Sequence, residues 1–151
     1  MITEVYFHGT KEKNISSIIA SRKLFQKTKE YNQSEDGFVY FCHERDFAQT
    51  ISYSMDPQEN SFTFVRFEID VDSELGRNLQ YEEKTSDIGT LISFKHKGDI
   101  DLSNNCIKNP KFITLKKGKK EYYDFLGNIT SCPPEYDKAK QILDKLTWYS
   151  I

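Results

Sequence analysis

Chemistry in this chain of 151 residues concentrates first at His8-Gly9-Thr10, which follow the short apolar run Val5-Tyr6-Phe7. A histidine ring carries two nitrogens that bond differently, and a glycine lets a backbone amide approach a ligand with no side chain between them. About thirty residues later comes a second aromatic run, Phe38-Val39-Tyr40-Phe41-Cys42. A His-Gly pair on one strand facing an aromatic on another makes a clamp for a flat, amide-bearing ring. That chemistry suggests nicotinamide, and with it NAD. Cys42 has no His and Asp arranged around it as a nucleophile requires, so it reads as a packed thiol.

Several elements must position these residues. Residues 3–7 read as a strand, with His8 to Thr10 as its exit. Asn14 is placed to cap a helix whose apolar positions Ile15, Ile18 and Ile19 recur at helical spacing and run towards Leu24. Residues 26–37 are polar, lack periodicity and end in Gly37, so they read as an exposed loop, either a connector or a flap over a ligand. Phe38–Phe41 is a second strand. Glu44–Ser54 puts Phe47, Ala48 and Ile51 on one face of a short amphipathic helix that ends at Asp56-Pro57. The segment 61–71 alternates as a strand and is aromatic or branched on both faces at its start, which predicts burial on both sides there. Leu91 to Ile100, broken at Gly98, and Phe112 to Leu115, after Pro110, are further strands. Pro133-Pro134 opens a terminal helix with an inner stripe of Ala139, Ile142, Leu143 and Leu146, and Trp148 anchors that tail.

This order of elements predicts an α+β domain with a mixed or antiparallel sheet, not a doubly wound nucleotide fold. Gly-x-Gly-x-x-Gly and the phosphate-loop lysine motif are both absent, so NAD would have to be held in another way. The length fits one domain able to bury about two-thirds of its unfolded surface. Hydrophobic residues make up 37%, but aromatics reach 14%, with eleven Phe and nine Tyr, so a compact core is within reach. A formal charge of -2 gives no general attraction to nucleic acid or anionic membrane. Lys108, Lys111, Lys116, Lys117, Lys119 and Lys120 form a local basic cluster that reads by default as a solvated loop and helix face. Cys42, Cys106 and Cys132 have no metal-ligand spacing and no even pairing, which favours a reducing compartment. No stretch has the length of a membrane span and the N-terminus lacks a signal-peptide layout, so a soluble, cytoplasmic protein without bound metal is expected.

The segments YFHGT, NISSIIASRKLF and GFVYFCHERDFAQTISYS together resemble the mono-ADP-ribosyltransferase fold of the diphtheria-toxin and PARP-like type. They are closest to the small rifampin-type ADP-ribosyltransferases and related phage or bacterial enzymes, a glycosyltransferase class. The resemblance covers roughly residues 4–115 and leaves the helical tail, about 133–148, as an extension of a single domain with a split sheet and flanking helices. It implies that His8 bonds a ribose hydroxyl of NAD and that the Gly9 backbone takes the nicotinamide carboxamide. Tyr40 then stacks on the ring, with Phe41 beside it, and Thr10 supports the turn. Family members place a carboxylate near the nicotinamide ribose. Here the matching strand begins Leu91-Ile92-Ser93, and the acid favoured is Asp87, in the preceding loop, with Glu82, Glu83, Asp99 and Asp101 as competitors.

Other readings use the same residues. The domain could bind NAD or ADP-ribose without turning it over, which the missing strand carboxylate favours. An RNA 2'-phosphotransferase shares the opening but needs arginines around a phosphate, and only Arg45 follows the Tyr40 strand closely. A non-enzymatic interaction protein is the remaining reading. His43 and His96 read as surface residues, His43 with a position bordering the cleft. The acceptor is not written in the sequence: a protein side chain, a nucleic-acid base and a small molecule are all compatible.

Overall fold

A computed structural model describes residues 1–26, 37–86 and 89–151. Strand β1 (Thr3–Thr10) leads through a 3-10 turn (Glu12–Asn14) into helix α1 (Ile15–Ser21) and the short strand β2 (Lys23–Leu24). Strand β3 (Phe38–His43) is followed by a 3-10 segment (Glu44–Thr50), α2 (Ile51–Ser54), β4 (Met55–Asp56) and the long strand β5 (Ser61–Asp70). Next come α3 (Glu74–Arg77), β6 (Gln80–Ser86), β7 (Gly89–Lys97), β8 (Ile100–Asp101) and β9 (Ile107–Lys116). The chain closes with α4 (Lys120–Thr130), α5 (Tyr136–Lys145) and β10 (Tyr149–Ser150). The main sheet runs β10-β9-β5-β1-β3-β7-β6, with β4 also on β5, and β2 and β8 form a separate ribbon. Every described pairing is antiparallel, so the α+β expectation is met in its antiparallel form.

The two sheet faces bury separate clusters, and strand alternation decides which residue joins which. Tyr6, Val39, Phe41, Val65, Phe67 and Ile69 share one face, covered by Ile18 of α1 and by Leu24 and Ile100 of the ribbon. Phe7, Phe62, Phe64, Ile113 and Leu115 share the other, covered by Phe47, by Phe125 of α4 and by Ala139 and Leu143 of α5. The start of β5 is therefore buried on both sides, and Phe62, Thr63, Phe64 and Val65 are all at 1% exposure or less. Each such phenylalanine is worth about 1.5–3 kcal/mol of burial.

Several sequence expectations need correction. The first helix ends at Ser21, short of Leu24, because Arg22 takes a left-handed conformation (φ 57°) and the chain turns into β2. Asn14 stands at its N-cap position as expected but makes no side-chain capping bond; its amide donates to the Thr10 hydroxyl at 3.3 Å. The segment 44–54 is not one helix, since Asp46 departs from helical geometry and only the last turn is α. Strand β9 extends through Pro110, which is accommodated where the β5–β9 register shifts between Arg66 and Glu68. The tail is no appendage. Leu143 and Ala139 are fully buried, the Trp148 ring meets Phe7 edge-on at 5.5 Å, its indole N–H donates to the Leu143 carbonyl at 2.9 Å, and β10 extends the sheet. The predicted loop 26–37 lies, for 27–36, outside the described residues.

One carboxylate holds the far end of the sheet together. Glu68 accepts from the Thr3 hydroxyl and from the Asn109 amide, both at 2.8 Å, tying β1 to β5 and to the β9 irregularity. The Asn109 bond foremost, with Thr3, Arg66 and Lys111 adding to it, holds this carboxyl below its ordinary range against the opposing effect of burial. A group whose folded pKa is depressed stabilises fully above its unfolded value and loses that contribution as pH falls through the folded one. Chemical denaturation on the acid side should therefore show a smaller pH-dependent loss of stability for Glu68→Gln than for the wild type.

Candidate functional site

The sheet parts at the residues first singled out. Strand β1 pairs with β5 over its whole length, from Thr3–Asp70 to Thr10–Thr63, and β3 pairs with β7 from Phe38–Lys97 to Phe41–Phe94. Between β1 and β3, however, only Tyr6–His43 and Phe7–Cys42 are in register. A continued ladder would oppose His8 to Phe41, Gly9 to Tyr40 and Thr10 to Val39, and none of these pairs forms. The opening is bridged by a side chain: His8 Nδ1 lies 2.6 Å from the Tyr40 carbonyl oxygen. A carbonyl only accepts, so Nδ1 carries the proton, and in the neutral ring Nε2 is then an acceptor. His8 and Thr10 are almost fully buried.

Gly9 is fixed by steric need. It lies on the same face as Phe7, where the segment 44–54 crosses β1. A Cβ on Gly9 would stand 2.2 Å from the Thr50 carbonyl oxygen and 2.9 Å from the Ser54 nitrogen, both backbone atoms. That segment is itself held firmly: the Thr50 hydroxyl donates to the Phe47 carbonyl at 2.6 Å and the Gln49 amide donates to the Ile92 carbonyl of β7 at 2.8 Å. The backbone around Gly9 is thus clamped from one side while β3 stands off from it along the sheet. Neither Gln49 nor Thr50 carries a sequence signal for this role, which depends on where the segment crosses.

Tyr40 is half-buried and directly opposite Lys95. Lys95 Nζ lies 3.0 Å from Glu82 Oε1 and 4.9 Å from the centre of the Phe38 ring. Because Glu82 opposes Ser93, two residues from Lys95, Glu82, Lys95 and Tyr40 all share one face of the sheet. Glu83 opposes Ile92 and falls on the other face. Asp99 accepts from the Gln26 backbone N–H at 2.8 Å, and Asp101 closes a turn through Ser103, whose bonds hold that exposed carboxyl below its usual range. Asp87 lies outside the described residues. Phe41 belongs to the core, at 1% exposure between Tyr6, Phe67 and Phe94, so it braces Tyr40's strand and offers no open ring face.

The remaining histidines lie elsewhere. His43 stands at the other end of β3, accepting from the Arg45 backbone N–H through Nδ1 and bonding Glu4 through Nε2 at 2.6 Å, so it does not border the opening. His96 bonds the Gly98 carbonyl at 3.2 Å. Two clefts, of about 590 and 680 Å³, are not lined by His8, Gly9 or Tyr40: one is formed by α3, the end of β7 with Lys95 and His96, and the β8–β9 connection beside Asp99 and Asp101, the other by Glu44–Ala48 and the start of α5. Among the described residues no group of three or more His, Cys, Asp or Glu could hold a metal ion, and no helix is long and apolar enough to cross a membrane. The chain matches no protein-family model, no curated protein and no solved structure.

Proposed function

We propose that this protein is an NAD-dependent mono-ADP-ribosyltransferase, with NAD as co-substrate bound at the opening between β1 and β3. The observation that carries this reading is the parting of the two strands beyond Phe7–Cys42, with His8 bridging to the Tyr40 carbonyl. The residues present fit a dinucleotide ending in nicotinamide. Backbone groups of β1 beyond Phe7 are freed from the β3 ladder for an amide ligand, and Tyr40 offers a half-buried ring beside it. His8 is assigned to a ribose hydroxyl on the resemblance, with its Nδ1–H bonded to the Tyr40 carbonyl.

In the reaction, the bond between ribose C1' and the nicotinamide nitrogen breaks, and nicotinamide leaves with the electron pair. The ribosyl group carries positive charge, which a carboxylate would stabilise, until an acceptor nucleophile bonds to C1' and gives up its proton. Asp87 is the acid proposed from the resemblance; Glu82 is the described carboxylate on Tyr40's face, held for now by Lys95. That ion pair, and a strand that opens Leu91-Ile92-Ser93 where the resemblance expects an acid, favour a second reading: a module that binds NAD or ADP-ribose without cleaving it. Incubation of the full chain with NAD labelled in the nicotinamide ring separates the two. Time-dependent release of free nicotinamide is expected for the transferase; saturable binding measured by calorimetry with the label still in intact NAD would replace it with the module.

A further inference from the structure

We infer that the acceptor is a single-stranded nucleic acid, seated across the end of the sheet at which β1 and β3 part; this rests on the transferase reading above. Two features converge there. Phe38 and Tyr40 lie on one face at alternate positions of β3, half-buried, with ring centres 6.5 Å apart. Aromatic rings on an accessible sheet face take unstacked bases whatever their sequence, provided cations follow the backbone. Lysines flank this pair on both sides. Lys95 and Lys97 oppose Tyr40 and Phe38 directly on β7.

On the other flank, the turn from β9 into α4 carries Lys116, Lys117, Lys119 and Lys120 around Gly118. Antiparallel register brings this turn to the same end of the sheet, since Thr10 opposes Thr63, Thr63 opposes Thr114 and Ser61 opposes Lys116. The lateral step from β1 to β9 is two strand spacings, about 10 Å. Lys116 reaches back to Glu12 beside the β1 exit at 3.3 Å, and the Lys117 backbone N–H bonds the Asn60 carbonyl, so the turn is docked against this end. Lys95 pairs with Glu82 and Lys120 with Asp124, whereas Lys97, Lys117 and Lys119 make no ion pair among the described residues. Glu68 and Asp70 lie towards the opposite end of β5, with Asp72 and Glu74 just beyond it. An extended polyanion with exposed bases is the ligand that uses the Phe38 ring, beside the nicotinamide-facing Tyr40, and both lysine flanks together; a duplex would hide its bases from that ring.

The test measures fluorescence anisotropy of a labelled single-stranded oligonucleotide with the full chain over a range of salt, as DNA and as RNA. Binding should weaken with salt by about 0.7 log units per log unit of salt for each phosphate neutralised. The double variant Lys117→Glu/Lys119→Glu should bind more weakly and lose about 1.4 from that slope, while its nicotinamide release from NAD stays at the wild-type level. Phe38→Ala should weaken binding about 5- to 150-fold with the slope unchanged. Transfer of labelled ADP-ribose should then appear on the oligonucleotide and be lost with the lysine variant. Absence of binding, equal binding by both variants, preference for duplex, or transfer only to protein would overturn the inference. Nicotinamide release without oligonucleotide binding would remove this inference alone. Oligonucleotide binding that obeys the salt and variant pattern in a chain that releases no nicotinamide would remove the transferase reading and keep the surface.

Discussion

Gly9→Ala should be strongly damaging to both stability and activity. The added carbon would stand 2.2 Å from the Thr50 carbonyl oxygen and 2.9 Å from the Ser54 nitrogen, with no flexible side chain in the way to move aside. Either the segment 44–54 lifts off β1 or β1 bends into the opening. Over-packing typically costs 1–3 kcal/mol, and a clash between two backbones belongs at the upper end, about 3 kcal/mol. For a chain of this length that lowers the melting temperature by about 6–12 °C. The functional loss should exceed the stability loss, because a displacement of about 1 Å at the opening costs on the order of 100-fold in turnover. Thermal unfolding and nicotinamide release, both measured well below the variant's melting temperature, check the two effects separately.

His8→Ala should sharply reduce NAD cleavage through the loss of two bonds at once. One is the Nδ1–H donation to the Tyr40 carbonyl across the parted strands, at 2.6 Å, and the other is the proposed acceptor at Nε2 for ribose. Losing a group that orients the reacting sugar lowers turnover by about 100- to 1,000-fold. Leaving the Tyr40 carbonyl without its donor in a nearly dry site costs about 1–3 kcal/mol of stability. His8→Asn distinguishes the two contributions. Its amide can still donate to the Tyr40 carbonyl but supplies nothing at the Nε2 position, so stability should recover most of the way while turnover stays low. If His8→Asn turned over NAD as the wild type does, Nε2 would have no part in the reaction.

Much of the fold was legible because its strands are unusually aromatic. Val5-Tyr6-Phe7, Phe38-Val39-Tyr40-Phe41 and the alternation from Phe62 to Ile69 each announce a strand, and β5 announces burial on both faces. Strand β6 left no such mark. It is an edge strand of sequence QYEEKTS, and edges carry charge on both faces, which erases the period-two signal. The helix α4 buries only Phe125 fully and has a glycine in its interior, so its helical stripe is faint.

At the site, sequence could suggest that His8 and Tyr40 lie on neighbouring strands, because each sits at the end of a strong apolar run. It could not show that the strands part between them. Register is set by long-range packing, here by β1 following β5 while β3 follows β7. The same limit applies to Asn14, which stands at the helix N-cap but bonds Thr10, and to Glu82, whose relation to Tyr40 exists only through the β6–β7–β3 register.

The central claim is that NAD lies in the opening between β1 and β3, and a crystal structure of the full chain with NAD tests it most directly. Density is expected for nicotinamide against the Tyr40 ring, with its carboxamide bonded to the Gly9 backbone and a ribose hydroxyl on the His8 ring. Density for NAD in the cleft beside α3 and the β8–β9 connection, with the β1–β3 opening holding only water, would contradict it.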